Sequence, residues 1–244
     1  MIKKKILVLV EGQKTDVRLM NHLFSIYKID AKYEIVSYNT NIYTLYNEMF
    51  RDGKPDELDL LQVLKAREKD VNRKEIFNVD YTDILLIFDL DPQDSSFSPR
   101  RIAEMLEYFS ESSDMGKLYI NYPMVEAFYH MSSIPDENYN SYTVTIKELQ
   151  DHTYKQRVNA ENRNHDYAKF ATTREECNIV ISQNIEKGFK IQNKDIIERF
   201  PNTTKILEEQ LNLLGSFKMV YVLCICVFFI VEYNPELISR GNSI

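Results

Sequence analysis

The chain has 244 residues, 44% of them hydrophobic and 27% charged, which is enough for one sizeable core and a second, smaller unit. Its formal net charge of -7 excludes a basic nucleic-acid coat protein, so any nucleic-acid binding must come from a local basic patch or from metal ions that neutralise phosphate. The odd count of three cysteines (Cys177, Cys224 and Cys226) excludes a disulfide framework and favours a reducing, cytoplasmic location.

Strand and helix signals alternate over residues 1–131. Apolar residues at helical spacing predict one helix with Thr15 as its N-cap, a second over 42–50, and a third that starts at Ser98 and Pro99. The charged segment 56–78 is interpreted as a solvated helical insertion, and a short helix is expected to run through Met131. Aliphatic or β-branched runs predict strands at 5–10, 33–38, 84–88 and 117–120. This alternation predicts an α/β fold with a mostly parallel sheet flanked by helices.

From residue 132 onward the strand signals thin out, and polar helical stretches dominate 145–214. We therefore expect an α/β domain at 1–131 and a mostly α-helical C-terminal extension at 132–244. The apolar run Met219–Val231 is shorter than the roughly 20 residues that span a bilayer, so we expect it to be buried against the chain, with no membrane partner. The first aliphatic run is interpreted as a strand, because it is too short for a signal peptide and ends in an acidic residue.

Acidic residues follow two of the predicted strands. The first strand ends in Glu11-Gly12, and a later one ends in Asp89-Leu90-Asp91. Ligands of open α/β sheets bind beyond the carboxyl ends of the strands, where these carboxylates are expected to meet. Crowded carboxylates repel one another unless protons or cations lie between them, and oxygen ligands favour a hard cation such as Mg²⁺. Gly12 is expected to allow a substrate backbone to approach closely.

Two segments together resemble the Toprim fold of primases, topoisomerases and overcoming-lysogenization-defect (OLD) nucleases. They are VLVEGQKTD at 8–16, where Glu-Gly follows a strand, and LLIFDLDPQD at 85–94, where Asp-x-Asp follows a strand. The segment INYPMVEAFYH at 120–130 further resembles small stand-alone Toprim-like proteins of bacterial phage defence, such as the RloB group. In those proteins an Asn-Pro-x-x-Glu-type segment follows the half that contains Asp-x-Asp. The resemblance covers residues 3–131 and implies a Toprim-like (Rossmann-like) fold for them.

The resemblance implies a Mg²⁺- or Mn²⁺-dependent endonuclease that hydrolyses phosphodiester bonds in DNA or RNA, in an anti-phage setting. Asp89 and Asp91 would hold the metal, and Glu11 would be a second metal ligand or a general acid/base. The chain has no G-x-x-x-x-G-K-[ST] motif, so an ATPase of the OLD kind would be a separate partner. The sequence leaves open whether the chain forms a homo-oligomer.

Ordinary structural roles are the alternative for these acids. Glu11 is also typical of a carboxylate near a helix N-terminus, and Asp89 and Asp91 are typical of turns. Glu126 is a candidate further metal ligand, with His130 on the same face of the short helix. Alternatively, Glu126 and His130 form a structural pair.

Basic residues predict nucleic-acid contacts at two places, in the loop after the first strand and in the segment 154–170. The second segment places basic residues between aromatic ones, as is typical of sites for single-stranded or flipped nucleotides. Glu161 and Asp166 dilute its charge, so a solvated surface is the alternative. The candidates are Lys14, Lys155, Arg157 and Lys169.

Two other functions stay open from the sequence. Nucleotide-sugar transferases also place Asp-x-Asp after a strand to hold a metal and a diphosphate, although such an enzyme would not need Glu11-Gly12. The other is a non-catalytic regulatory or binding module with a decayed Toprim site. The presence of Glu11, Asp89 and Asp91 together argues against that module.

Overall fold

The computed structural model describes residues 4–29, 31–51, 53–113, 115–193 and 200–236. It has an α/β architecture in which four parallel strands form one sheet flanked by helices. The predicted fold class is therefore confirmed at this level. Segments 194–199 and 237–244, which belong to the expected C-terminal extension, lie outside the described residues.

The sheet has the strand order β2-β1-β3-β4 and contains β1 (Lys5–Val10), β2 (Lys32–Ser37), β3 (Asp83–Asp89) and β4 (Lys117–Asn121). A smaller antiparallel sheet pairs β5 (Thr143–Thr145) with β6 (Met219–Tyr221). The α-helices are α1 (Thr15–Tyr27), α2 (Ile42–Met49), α3 (Leu60–Arg67), α4 (Val71–Lys74), α5 (Pro99–Tyr108), α6 (Ile146–Gln150), α7 (Tyr154–Glu161), α8 (Arg174–Ile191), α9 (Thr203–Phe217) and α10 (Phe228–Tyr233). Short 3-10 helices lie at Pro55–Glu57, Glu75–Asn78, Val125–Tyr129, Tyr139–Ser141 and Tyr167–Lys169.

The central strands β1 and β3 are aliphatic because both of their faces are covered. Residues 6–10 of β1 and 84–88 of β3 are buried along their whole length. In the parallel register, Val10 lies beside Ser37 of β2 on one side and beside Ile87 of β3 on the other. The three strands therefore run side by side to the same edge of the sheet, and β1 and β3 end there in acidic residues.

Side-chain caps define where the helices near the sheet begin. The side chain of Asn41 accepts a hydrogen bond from the Thr44 N–H at the start of α2, and Asp59 accepts from two N–H groups at the start of α3. Ser98 caps α5 with Pro99 in the first turn, as the sequence predicts. The charged segment 56–78 is indeed largely helical.

Contacts divide the chain into two compact units, and the expected boundary near residue 132 stays a prediction. The first contains Met1–Arg18, Ile29–Phe88 and Ser98–Tyr119; the second contains Leu19–Lys28, Asp89–Phe97 and Ile120–Ile244. Most of α1 belongs to the second unit because its side chains bind there. The Tyr27 hydroxyl donates to Asn178 Oδ1 at 2.8 Å, and the Phe24 ring lies 5.6 Å from that of Phe229.

The second unit contains the two-stranded sheet, which the sequence did not indicate. Its two strands pair Val144 with Val220 although these residues are distant in sequence. After β6 the chain is buried without a break from Val222 to Ile230 and enters α10. The expectation that Met219–Val231 is a buried segment is therefore confirmed, with a strand at one end and a helix at the other. Over the described residues, no helix is long and apolar enough to cross a membrane.

Candidate active site

The backbone brings Glu11 and Asp89 to the ends of neighbouring strands. The Glu11 N–H donates to the Ile87 carbonyl at 3.1 Å, which extends the ladder between β1 and β3 by one residue. Asp89 is the last residue of β3. The prediction that these two acids follow adjacent parallel strands is confirmed, and the expectation that their carboxyl groups share one pocket stays a prediction.

The loop after β3 is held by its own backbone and by the chain after β4. The Leu90 N–H donates to the Asn121 carbonyl at 3.0 Å, and the Asp91 N–H donates to the Pro123 carbonyl at 3.3 Å. Asp91 adopts a left-handed conformation (φ 42°), which aspartate tolerates better than most residues. Asp94 Oδ1 accepts from the Ser96 N–H at 2.7 Å, as is typical of an aspartate in a turn.

Asp91 is a mostly buried carboxylate with few hydrogen bonds. Gln93 Nε2 donates to its Oδ1 at 3.0 Å. Burial raises the pKa of Asp91, the negative charges of Asp94 and Glu126 act in the same direction, and the Gln93 hydrogen bond and the charge of Lys155 partly offset them. A carboxylate with these surroundings gains stability from an additional cation or a proton.

Glu126 lies on the 3-10 helix Val125–Tyr129 and forms an acidic cluster with Asp89 and Asp91. Its side chain is 4% exposed, and Lys155 Nζ lies 2.9 Å from its Oε1. Its other oxygen, Oε2, is buried and has no hydrogen-bond partner in the described part of the chain. The His130 ring contacts the Tyr154 hydroxyl and the Glu161 carboxylate. The pairing of Glu126 with His130, functional or structural, stays a prediction.

Asn121, at the end of β4, is a site residue that the sequence did not single out. It is fully buried, and its Nδ2 donates to Asp89 Oδ1 at 3.5 Å. Its Oδ1 accepts from the Cys226 N–H at 3.2 Å and from the Cys224 thiol at 3.6 Å. Asn121 thus makes a long hydrogen bond to the Asp89 carboxylate. A polar residue that ends an aliphatic strand is the signal that could have identified it.

The predicted nucleic-acid-binding residues lie in different surroundings. Lys14 is exposed in the loop before α1. Lys155 joins the acidic cluster, and its ammonium interacts with Glu126, Asp89 and Asp91. Arg157 binds inside its own unit, to Glu148, Glu161 and the Thr143 carbonyl. Lys169 is exposed and lies 3.7 Å from Asp166. The segment 154–170 therefore does not present these three cations as one free basic surface.

The donor atoms of the cluster are of the type that Mg²⁺ or Mn²⁺ prefers, since Asp89, Asp91 and Glu126 supply carboxylate oxygens only. The buried Oε2 of Glu126, which has no hydrogen-bond partner among the described residues, is a further oxygen of this type. The side chains as they stand do not complete a site: among the described residues, no group of three or more His, Cys, Asp and Glu is arranged to hold a metal ion. In this arrangement the positive charge of the cluster comes from Lys155.

Comparison of the chain with protein-family models, with curated proteins and with solved structures gave no match.

Proposed function

We propose that this protein is a Mg²⁺- or Mn²⁺-dependent nuclease of the Toprim type, which hydrolyses phosphodiester bonds in DNA or RNA. The observation that supports this most strongly is the cluster of Asp89, Asp91 and Glu126, in which one carboxylate oxygen is buried without a partner. Lys155 supplies one positive charge to these three carboxylates, so the cluster has capacity for a further cation. A cytoplasmic location and a role in anti-phage defence are part of the proposal by resemblance.

In this proposal Asp89 and Asp91 hold the metal, with Glu126 as a further ligand and Glu11 as a second ligand or a proton carrier. A bound divalent ion supplies Lewis acidity toward a phosphate oxygen and lowers the pKa of water. Glu11 would accept the proton of the attacking water while the P–O bond to the water oxygen forms and the opposite P–O bond breaks; the leaving oxygen would take up a proton from solvent to give the alcohol. Asn121 keeps the Asp89 carboxylate in a fixed orientation during these steps.

The test replaces each acid by its uncharged isostere: Glu11→Gln, Asp89→Asn and Asp91→Asn. We expect each variant to lose cleavage of single- and double-stranded DNA and RNA by on the order of 100-fold or more, because ligands and proton carriers act in the transition state. The melting temperature should stay equal or rise, since each change removes one of several repelling charges. Activity is measured with Mg²⁺ or Mn²⁺ and again with EDTA.

The matched control is Glu107→Gln, which changes an exposed glutamate on α5 and should cleave like the wild type. Cleavage by all three acid variants at the wild-type rate would assign the activity to another site or to a contaminant. Misfolding of all three would show that the acids are structural.

A further inference from the structure

Lys155 places a positive charge where the proposed metal ion would act. It lies in the first turn of α7, and its Nζ is 2.9 Å from Glu126 Oε1. The side chain of Lys155 is 62% exposed whereas that of Glu126 is 4% exposed. The lysine therefore reaches from solvent to a buried carboxylate, which is an unusual arrangement for a surface lysine.

The pairing between Lys155 and Glu126 is incomplete on the carboxylate side. The ammonium contacts Oε1, whereas Oε2 is buried and unpartnered among the residues that the structure describes. A buried carboxylate oxygen without a donor costs free energy, so Glu126 still has capacity for a second cation. In a purely structural salt bridge both carboxylate oxygens would have partners, which is not so for Glu126 among the described residues.

The charge of Lys155 also acts on Asp89 and Asp91. One flexible ammonium therefore offsets the repulsion within a cluster of three carboxylates. Such a group competes with any divalent ion, because the ion and the ammonium require the same negative charge and repel each other at short range. The Lys155 side chain is 62% exposed, so its ammonium can move into solvent when a divalent ion takes its place at the carboxylate.

We propose that Lys155 is a displaceable counter-cation: it neutralises the acidic cluster when no metal is bound and withdraws from Glu126 when a divalent ion enters. This inference rests on the proposed metal site and assigns Lys155 a role in setting the affinity of that site. The residue is a positioning residue for Glu126 and not a member of an independent nucleic-acid surface.

The test measures Mn²⁺ binding by isothermal calorimetry to the full chain. Lys155→Met keeps a long apolar stem and removes the competing charge, so the dissociation constant for Mn²⁺ should fall roughly tenfold. Lys155→Arg retains the charge and should bind Mn²⁺ as the wild type does. Lys169→Met is the matched control, because Lys169 is exposed and paired with Asp166; its affinity should be unchanged.

A second readout is thermal stability. Without metal, Lys155→Met should melt below the wild type, and saturating Mn²⁺ should raise its melting temperature more than that of the wild type. If Lys155→Met folds poorly, Lys155→Gln provides the same two measurements with a shorter polar stem.

The possible failures are distinguishable with Asp91→Asn in the same series. Equal Mn²⁺ affinity of wild type and Lys155→Met, with weakened binding by Asp91→Asn, would overturn the role of Lys155 and leave the proposed nuclease site intact. Absence of Mn²⁺ binding in every variant at millimolar metal would overturn both. Tighter binding by both Lys155→Met and Lys169→Met would indicate a general effect of net charge. That result would contradict a specific role of Lys155.

Discussion

At Gly12 the missing side chain leaves room for a neighbouring carboxylate. A Cβ atom at this position would lie 2.6 Å from Asp16 Oδ2, and Asp16 is buried in the first turn of α1. The sequence suggested that Gly12 admits a substrate backbone. The structure gives a local reason instead, because the space beside Gly12 is occupied by Asp16 of the same unit.

Gly12→Ala is therefore expected to lower the free energy of unfolding by about 1–3 kcal/mol, because the new methyl group must displace Asp16. The measurement is urea unfolding of Gly12→Ala, Asp16→Ala and the double variant. In the background of Asp16→Ala the methyl group has room, so the second change should cost clearly less. Strictly additive losses would contradict the packing explanation and would leave the function of Gly12 open to the substrate interpretation.

The residues of the site differ in how far the sequence alone predicts their positions. The acids that follow β1 and β3 were identifiable because each ends an aliphatic run abruptly. The position of Lys155 was not identifiable, since its pairing with Glu126 depends on how α7 packs near the 3-10 helix Val125–Tyr129. Composition around Lys155 indicated a basic patch, whereas the contacts pair each of its cations with an acid.

Among the strands and helices, the sequence predicted those that are determined by their own residues. The strands of the parallel sheet were indicated by buried aliphatic runs and α5 by its Ser98-Pro99 start, and all are present within a residue or two of the expected ends. The strands β5 and β6 were missed because each has three residues, and their pairing joins distant parts of the chain. Three residues carry no usable periodicity, so such strands are fixed by packing alone.

Arg157 links three elements of the second unit. Its Nη1 donates to the Thr143 carbonyl of β5 and to Glu148 of α6, both at 3.0 Å, and its Nε donates to Glu161 on its own helix at 3.1 Å. These bonds use most of the guanidinium group for internal contacts. This residue is therefore better explained as a structural link than as a phosphate ligand.

Arg157→Met should lower the free energy of unfolding by about 1–3 kcal/mol, because charge-assisted hydrogen bonds are lost and the Thr143 carbonyl loses a donor. Lys169→Met, which removes an exposed cation from the same segment, should change it by less than about 0.5 kcal/mol. Chemical denaturation measures both. A stable Arg157→Met variant with weakened binding to single-stranded oligonucleotides would restore the nucleic-acid role.

At the scale of the whole molecule, stability depends on pH through groups whose protonation differs between the folded and unfolded chain. His130 is fully buried, with Nε2 2.7 Å from Glu161 Oε2 and Nδ1 3.3 Å from the Tyr154 hydroxyl. A neutral ring satisfies both contacts if Nε2–H donates to Glu161 and Nδ1 accepts from Tyr154. Burial lowers the pKa of His130 below its usual 6.5, and the interaction with Glu161 opposes this without reversing it.

The unfolded chain therefore takes up a proton on His130 near pH 6.5, and the folded chain takes it up only at lower pH. The free energy of unfolding should consequently fall as pH drops from 7 to 5, by up to about 1.4 kcal/mol per pH unit from this single group. The pKa values of Glu161, Glu148 and Asp136 are also lowered, because hydrogen bonds outweigh burial, and these groups act mainly below the usual carboxylate range. Burial raises the pKa of Asp91, which acts in the opposite direction on acidification, so the contribution of His130 is obtained as a difference from a His130 variant. Denaturation of wild type and His130→Gln across pH 5–7 measures the difference: the variant should be less stable at pH 7 and should lose less stability on acidification.

His152→Asn, which changes an exposed histidine in the same unit, should keep the wild-type slope. If the free energy of unfolding of wild type and of His130→Gln had the same slope against pH, His130 would carry the same charge in the folded and unfolded chain. The inference that the buried ring is neutral would then be wrong.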